Sequence, residues 1–305
     1  MDKTYADTVR LLLAVAPVVF DNEIFALKGG TALNLFLHDL PRLSVDIDVV
    51  YTPWEVPRET ALVAIATELD RIAEKVRRMG LEARALGDGA DGETKLLVED
   101  DASQVKIEVN TVFRGTVLPV EPRKLAPAAA DAFATEIRLP TLAPDELYGS
   151  KLVAALDRQH PRDLFDVWRM YEAGGLTPGM VECFVTYLAG HNRPIHEVLF
   201  GNEKSIDAEY RNQFIGMTRE PVALDTLLAA RTRLRRELPA ALTREHRQFL
   251  VGLARAEPDW RLLHCDHAAE LPALRWKLEN LRRFQQRRGN DFERQARLLE
   301  QQLFP

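Results

Sequence analysis

One short region, residues 28–51, constrains the fold of this chain more than any other, because it joins a glycine turn to a strand that carries two aspartates. Gly29 and Gly30 follow an apolar run and precede a stretch with helical spacing. Glycine lets a backbone turn sharply and lets another group approach it closely. The region predicts a strand over residues 24–27 and a helix over residues 31–40, with the turn between them.

Asp46 and Asp48 alternate with apolar residues in a β-branched run, which is typical of a half-buried strand. Side chains two positions apart share a strand face, so we expect Val45, Ile47 and Val49 in the core and both carboxylates on the other face. Adjacent carboxylates repel each other unless a cation neutralises them. Oxygen ligands of this kind select Mg²⁺ or Mn²⁺. Two such ions about 4 Å apart can hold both oxygens of an in-line phosphoryl displacement.

A third carboxylate, Glu108, lies in a second alternating run over residues 105–110. If this run pairs beside the first one, Glu108 joins the two aspartates, and the apolar positions join the same core layer. The predicted metal ligands are therefore Asp46, Asp48 and Glu108. Glu108 is the least constrained of the three, because its place depends on strand pairing.

The glycine turn supplies hydrogen-bond donors for phosphate groups. Backbone N–H groups at the start of a helix, together with the helix dipole, favour anions. The residues of this region predicted to bind a nucleotide are Lys28, Gly29, Gly30, Thr31, Arg42 and Ser44. For Ser44, ordinary hydrogen bonding is favoured over modification. A phosphate-binding turn within one helix length of a carboxylate pair indicates metal-assisted transfer of a nucleotide.

A helix over residues 145–158 and a second helix opened by Pro161 carry the remaining charged candidates. Spacing places the two cations on one helix face and the two aspartates next to each other on the following helix. These candidates are Lys151, Arg158, Asp163 and Asp166. For Arg158, Arg162 and Asp163, binding of a nucleotide and a purely structural helix hairpin are equally favoured.

Three segments together resemble the AbiEii/AbiGii and MenT toxins, a branch of the DNA polymerase β-like nucleotidyltransferase superfamily. They are Lys-Gly-Gly-Thr-Ala-Leu at residues 28–33, Arg-Leu-Ser-Val-Asp-Ile-Asp at residues 42–48 and Lys-Ile-Glu-Val-Asn at residues 106–110. The resemblance covers roughly residues 20–172 and implies a polymerase β-like α/β (α+β) core with a mixed sheet. It also implies that Lys151 contacts the nucleotide phosphates and that Asp166 is needed for activity.

The same resemblance implies a function and its partners. The chain would be the toxin of a toxin–antitoxin pair, with a neighbouring antitoxin protein. It would use Mg²⁺, or Mn²⁺, to transfer a nucleoside monophosphate from a nucleoside triphosphate to the 3′ end of a transfer RNA, which would block translation. Because one fold serves several acceptors, a protein or small-molecule hydroxyl is the alternative. A third hypothesis is a nucleotide-binding interaction module. It is disfavoured because binding alone does not need three carboxylates.

Composition sets the wider limits. With 305 residues and 46% hydrophobic residues, the chain can form two domains, predicted as a catalytic domain over residues 1–172 and a mainly helical domain over residues 173–305. Two cysteines give no disulfide framework. The apolar run over residues 11–20 is too short for a membrane span, and the residues before it lack the basic character of a signal peptide. We therefore expect a cytoplasmic protein.

Periodicity and turn residues predict the remaining elements. In order, these are a leading helix, a helix from about Arg58 to Gly80, strands over residues 81–85, 94–99 and 105–110, turns over residues 87–92 and 99–103, a loop over residues 119–134, and helices from about residue 176. Basic residues are interleaved with aromatics over residues 275–288, and a second basic segment spans residues 231–236. Such segments contact RNA or an acidic partner, or form the solvated face of an amphipathic helix whose Leu, Trp and Phe enter the core, which is slightly favoured.

Overall fold

The structure is a computed structural model that describes residues 3–86 and 93–305. The chain forms two compact units, one from Met1–Leu147 with Phe214–Val222 and the other from Tyr148–Gln213 with Ala223–Pro305. These units are defined by packing, and the functional division predicted at residue 172 stays a prediction. The turn predicted over residues 87–92 lies outside the described residues.

A mixed sheet forms the centre of the first unit. In the part of the chain that the structure describes, its strands are β1 (Phe25–Lys28), β2 (Asp46–Tyr51), β3 (Glu82–Leu86), β4 (Glu93–Glu99), β5 (Gln104–Asn110), β6 (Glu121–Lys124) and β7 (Arg138–Thr141). They lie in the order β3-β4-β5-β2-β1-β7-β6. β1 is antiparallel to β2, whereas β2 and β5 are parallel. The predicted α/β class with a mixed sheet is confirmed.

Helices complete the first unit: α1 (Lys3–Val19), α2 (Gly29–Thr31), α3 (Arg58–Arg78) and α4 (Pro127–Phe133). The leading helix and the helix from Arg58 are therefore confirmed. The helix predicted over residues 31–40 is wrong at both ends, because it starts at Gly29 and continues as a π-helix only to Leu37. The N–H of His38 closes the last π turn on the carbonyl of Leu33 at 2.8 Å.

The second unit consists mainly of helices, as predicted. Helix α5 (Pro144–Asp157) contains the boundary between the units. The following helices are α6 (Pro161–Glu172), α7 (Pro178–Ala189), α8 (Ile195–Leu199), α9 (Asp207–Gln213), α10 (Leu224–Ala241), α11 (Arg244–Ala254), α12 (Pro272–Arg287) and α13 (Gly289–Leu303). None of the helices within residues 3–86 and 93–305 is long and apolar enough to cross a membrane.

Alternation in the two parallel strands produces the core beneath the polar face. The completely buried positions are Ile47, Val49, Val105, Ile107 and Val109. Burying each such side chain contributes about 1.5–3 kcal/mol. The expectation for Val45 was wrong: this residue is half-buried and precedes β2, so the alternation of the sheet does not fix its direction.

The prediction of a loop over residues 119–134 was also wrong, because this segment contains β6 and α4. β6 is an edge strand with the sequence Glu-Pro-Arg-Lys, which has no apolar alternation to reveal it. Its proline is tolerated because an edge strand leaves one side of its backbone unpaired. Helix α4 begins with Pro127 in its first turn and continues with alanines, which favour helix formation.

Gly149 gives a test of packing in the second unit. A Cβ at this position would lie 2.7 Å from the backbone nitrogen of Phe184. We expect Gly149→Ala to lower the free energy of unfolding by about 1–3 kcal/mol, because the backbone of α7 must move. Gly289→Ala in α13 is the matched control, since a Cβ there meets nothing within 4 Å. Urea denaturation checks both variants, and equal stabilities would contradict the packing argument.

Candidate active site

The glycine turn and the carboxylate strand meet at Gly29. Pairing of β1 with β2 places Lys28 opposite Asp48. Gly29 follows with φ +74°, and a Cβ at this position would lie 2.7 Å from Cγ of Asp48. The Asp48 carboxyl group therefore lies directly against the backbone of the turn, and only glycine provides both the conformation and the space.

Asp46 is connected to the same turn through Thr31. The hydroxyl of Thr31 donates a hydrogen bond to the backbone carbonyl of Asp46 at 2.6 Å. Thr31 is completely buried, whereas the two aspartates are partly exposed. In this arrangement Thr31 fixes the turn against the strand, and its predicted contact with a nucleotide stays a prediction.

Arg42 and Ser44 lie behind Gly30. A Cβ on Gly30 would lie 2.8 Å from Nη2 of Arg42 and 2.9 Å from Oγ of Ser44. Arg42 is 2% exposed, and its Nη1 donates to the carbonyl of Leu43 at 2.9 Å. These contacts support the turn from behind, and the predicted contacts of both residues with a nucleotide stay predictions.

A distant segment, residues 214–222, holds the chain around Arg42; we call it the brace segment. The N–H of Leu43 donates to the carbonyl of Met217 at 2.8 Å, and the N–H of Arg219 donates to the carbonyl of Pro41 at 3.1 Å. Met217 is buried. No sequence pattern predicted this segment, because main-chain hydrogen bonds between distant residues leave no pattern in side-chain chemistry.

The third predicted carboxylate lies beside the first two. The parallel register of β2 and β5 pairs Asp48 with Glu108 and Asp46 with Lys106, so these side chains share one face of the sheet. Glu108 Oε1, however, lies 3.1 Å from Nζ of Lys95 on β4. In the described part of the chain, no group of three or more His, Cys, Asp or Glu side chains is placed to hold a metal ion. The role of Glu108 as a metal ligand stays a prediction.

Asp46 and Asp48 have side chains of the kind that bind a divalent cation. Both are oxygen donors on one face of β2, and both are partly exposed. Mg²⁺ is commonly bound through one or two carboxylates while it keeps several water molecules. A partly exposed carboxylate pair beside a glycine turn therefore suits Mg²⁺ or Mn²⁺.

The remaining candidates form a buried charge cluster in the second unit. Lys151 Nζ lies 2.9 Å from Oδ1 of Asp163 and 3.0 Å from Oδ2 of Asp166. These three side chains are at most 6% exposed. Arg158 Nε lies 2.6 Å from Oδ2 of Asp163, while 64% of the Arg158 side chain is exposed. The cluster links α5 to α6, which is the contact that a structural helix hairpin requires. Arg158 is its solvent-facing cation.

Opposite charges determine the ionisation of Asp163. Burial alone would raise the pKa of this carboxyl group, but the neighbouring cations Lys151 and Arg158 lower it well below its ordinary value. Asp163 is therefore a carboxylate at neutral pH, already balanced by protein cations.

This balance predicts how stability depends on pH. The pKa of Asp163 is lower in the folded protein than in the unfolded chain, so its contribution is present above the unfolded-state pKa of about 4 and decreases as the pH falls. We expect Asp163→Asn to cost about 3 kcal/mol at pH 7, because it breaks a buried ion pair, and clearly less at pH 3. Urea denaturation at both pH values measures the difference. The exposed Asp70→Asn variant is the control, and a pH-independent cost for Asp163→Asn would contradict the argument.

Comparison with known proteins identifies the family to which the chain belongs. Residues 10–280 match the family described as nucleotidyl transferase AbiEii toxin of type IV toxin–antitoxin systems. Among solved structures, the fold is similar to that of MenT4, a nucleotidyltransferase toxin from Mycobacterium tuberculosis H37Rv. The TM-score is 0.59 at 20% sequence identity, over 91% of this chain and 90% of that chain. No curated protein matches the sequence. The resemblance predicted from three short segments is confirmed, and the chain belongs to the AbiEii family of nucleotidyltransferase toxins.

Proposed function

We propose that this toxin transfers a nucleoside monophosphate from a nucleoside triphosphate to the 3′ end of a transfer RNA and thereby blocks translation. The observation that carries the proposal is the contact between the glycine turn and Asp48. It combines a backbone suited to phosphate groups with a carboxylate suited to a cation. Transfer RNA is charged in the cytoplasm, where we expect the protein and its cognate antitoxin to act.

Asp46 and Asp48 would hold Mg²⁺, or Mn²⁺, and a bound divalent ion neutralises phosphate charge that develops during the transfer. Gly29 and Gly30 let the triphosphate approach the backbone, and Lys28 places a cation opposite Asp48. The acceptor hydroxyl attacks the α-phosphorus. The bond between the α-phosphorus and the oxygen that bridges it to the β-phosphate breaks, and pyrophosphate leaves. Thr31, Arg42 and Ser44 keep the turn in place for this step.

The charge cluster of the second unit takes part in a different way. Arg158 is the exposed cation of this cluster and the member we propose to contact phosphate. Lys151, Asp163 and Asp166 are buried and balance one another, which supports a role in fixing Arg158 and the two helices. Loss of Lys151 or Asp166 would then reduce activity through this arrangement.

Helix α12 is the surface we propose for RNA. Its Trp276 is 49% exposed, contrary to the expectation that this ring enters the core. Several arginines along α12 and at its end are exposed as well: Arg275, Arg282, Arg283, Arg287 and Arg288. Of these, Arg283 is paired with Glu279 and Arg288 with Asp291. An exposed aromatic ring among arginines can stack on bases and follow a phosphate backbone. The second basic segment is less suitable, because its Arg231 is buried.

A labelling experiment tests the proposed function. The purified chain is incubated with total transfer RNA, Mg²⁺ and each of the four α-³²P nucleoside triphosphates in turn. We expect labelled RNA with at least one triphosphate and no label with Asp46→Ala or Asp48→Ala, because these variants lose a cation ligand. Periodate-oxidised transfer RNA, which lacks the 3′ diol, should remain unlabelled. Labelled protein or small molecules without labelled RNA would overturn the choice of acceptor.

Gly29 gives a second test of this site. We expect Gly29→Ala to reduce transfer at least about 100-fold, since the new methyl group displaces the Asp48 carboxyl group and misplaced catalytic groups cost that much. Gly80→Ala is the matched control, because Gly80 also has positive φ but a Cβ there meets nothing within 4 Å. Both variants should lose similar stability. Equal activities of the two variants would contradict the role of the Gly29–Asp48 contact.

A further inference from the structure

Four charged residues form one row across the polar face of the central sheet. Lys28 is opposite Asp48, Asp48 is opposite Glu108, and Glu108 is opposite Lys95. Residues directly opposite each other on neighbouring strands place their side chains on the same face. The row therefore reads positive, negative, negative, positive across β1, β2, β5 and β4.

Within this row, Glu108 is bound to Lys95. Lys95 Nζ lies 3.1 Å from Oε1 of Glu108, and the two side chains are 35% and 23% exposed. An ion pair with this exposure contributes little to the stability of the fold. Its position beside Asp48 therefore points to an effect on the site rather than on stability. Although Glu108 is next to Asp48 in register, no trio of metal-ligating side chains forms within the described residues.

We propose that Lys95 is a positioning residue that keeps Glu108 out of the cation site, so that the resting site has two carboxylates rather than three. The inference rests on the proposed function, because it concerns the same divalent ion. An ammonium group and a divalent cation compete for one carboxylate, and each lowers the affinity for the other. Removing the ammonium group would leave Glu108 without this counter-charge, next to Asp48.

Lys106 provides a matched comparison for Lys95. It lies on the same face of the sheet but is opposite Asp46 rather than Glu108. Removing either lysine takes one positive charge from this face, so both changes alter the general electrostatic field in the same direction. Only the change at Lys95 should act through Glu108.

Binding of Mn²⁺, followed by electron paramagnetic resonance of the free ion, tests the proposal on the full chain. We expect Lys95→Met to bind Mn²⁺ about fivefold more tightly than the unmodified chain. In the Glu108→Gln background the same change should give no gain of this size, because no third carboxylate is then present. Lys106→Met should give a smaller gain that is the same in the unmodified chain and in the Glu108→Gln background.

Further variants keep the test decisive. Lys95→Gln is a second neutral substitution if Lys95→Met fails to fold, and Lys95→Arg, which keeps the charge, should bind like the unmodified chain. An unchanged affinity in the neutral variants, or an equal gain in the Glu108→Gln background, would overturn the role of Lys95. Neither outcome depends on the RNA-labelling result. Conversely, suppose that the variants show the expected Mn²⁺ affinities while no RNA is labelled. That result would overturn the transfer reaction and leave the role of Lys95 intact.

Discussion

The register of three neighbouring strands, β1, β2 and β5, is the constraint on which the rest of the site depends. It places the glycine turn against Asp48 and places Glu108 next to Asp48 on the other side. Because side chains alternate along a strand, a shift of one residue would move both aspartates into the core and Ile47 into solvent. Burial of the apolar positions therefore fixes the same register that assembles the charged face.

The central strands could be predicted because they carry a strong alternation. The segments that form β2 and β5 combine β-branched core positions with charged positions on the polar face. Both form strands within one residue of the expected bounds. β6 and the brace segment could not be predicted in this way. Edge position and main-chain hydrogen bonds determine them, and neither property appears as a hydrophobic period.

Local sequence also predicted which residues gather around the glycine turn better than it predicted the contacts that they make there. The burial of the Arg42 guanidinium group behind Gly30, for example, was not predicted. Lys95 was not selected at all, because a lysine on an alternating strand normally indicates a solvated face. Its significance depends on the pairing of β4 with β5, which brings it opposite Glu108. Contacts of this kind follow from register, and register is a property of the whole sheet.

The two groups of aspartates differ in burial and in the cations that surround them. In the second unit, Asp163 and Asp166 are buried and paired with Lys151, and Arg158 adds a further positive charge. A divalent ion there would have to displace cations that the fold already holds in place. Asp46 and Asp48 are instead partly exposed and lie against a glycine backbone. An added cation gains most where adjacent carboxylates remain accessible, and this difference supports the proposal that the divalent ion binds in the first unit.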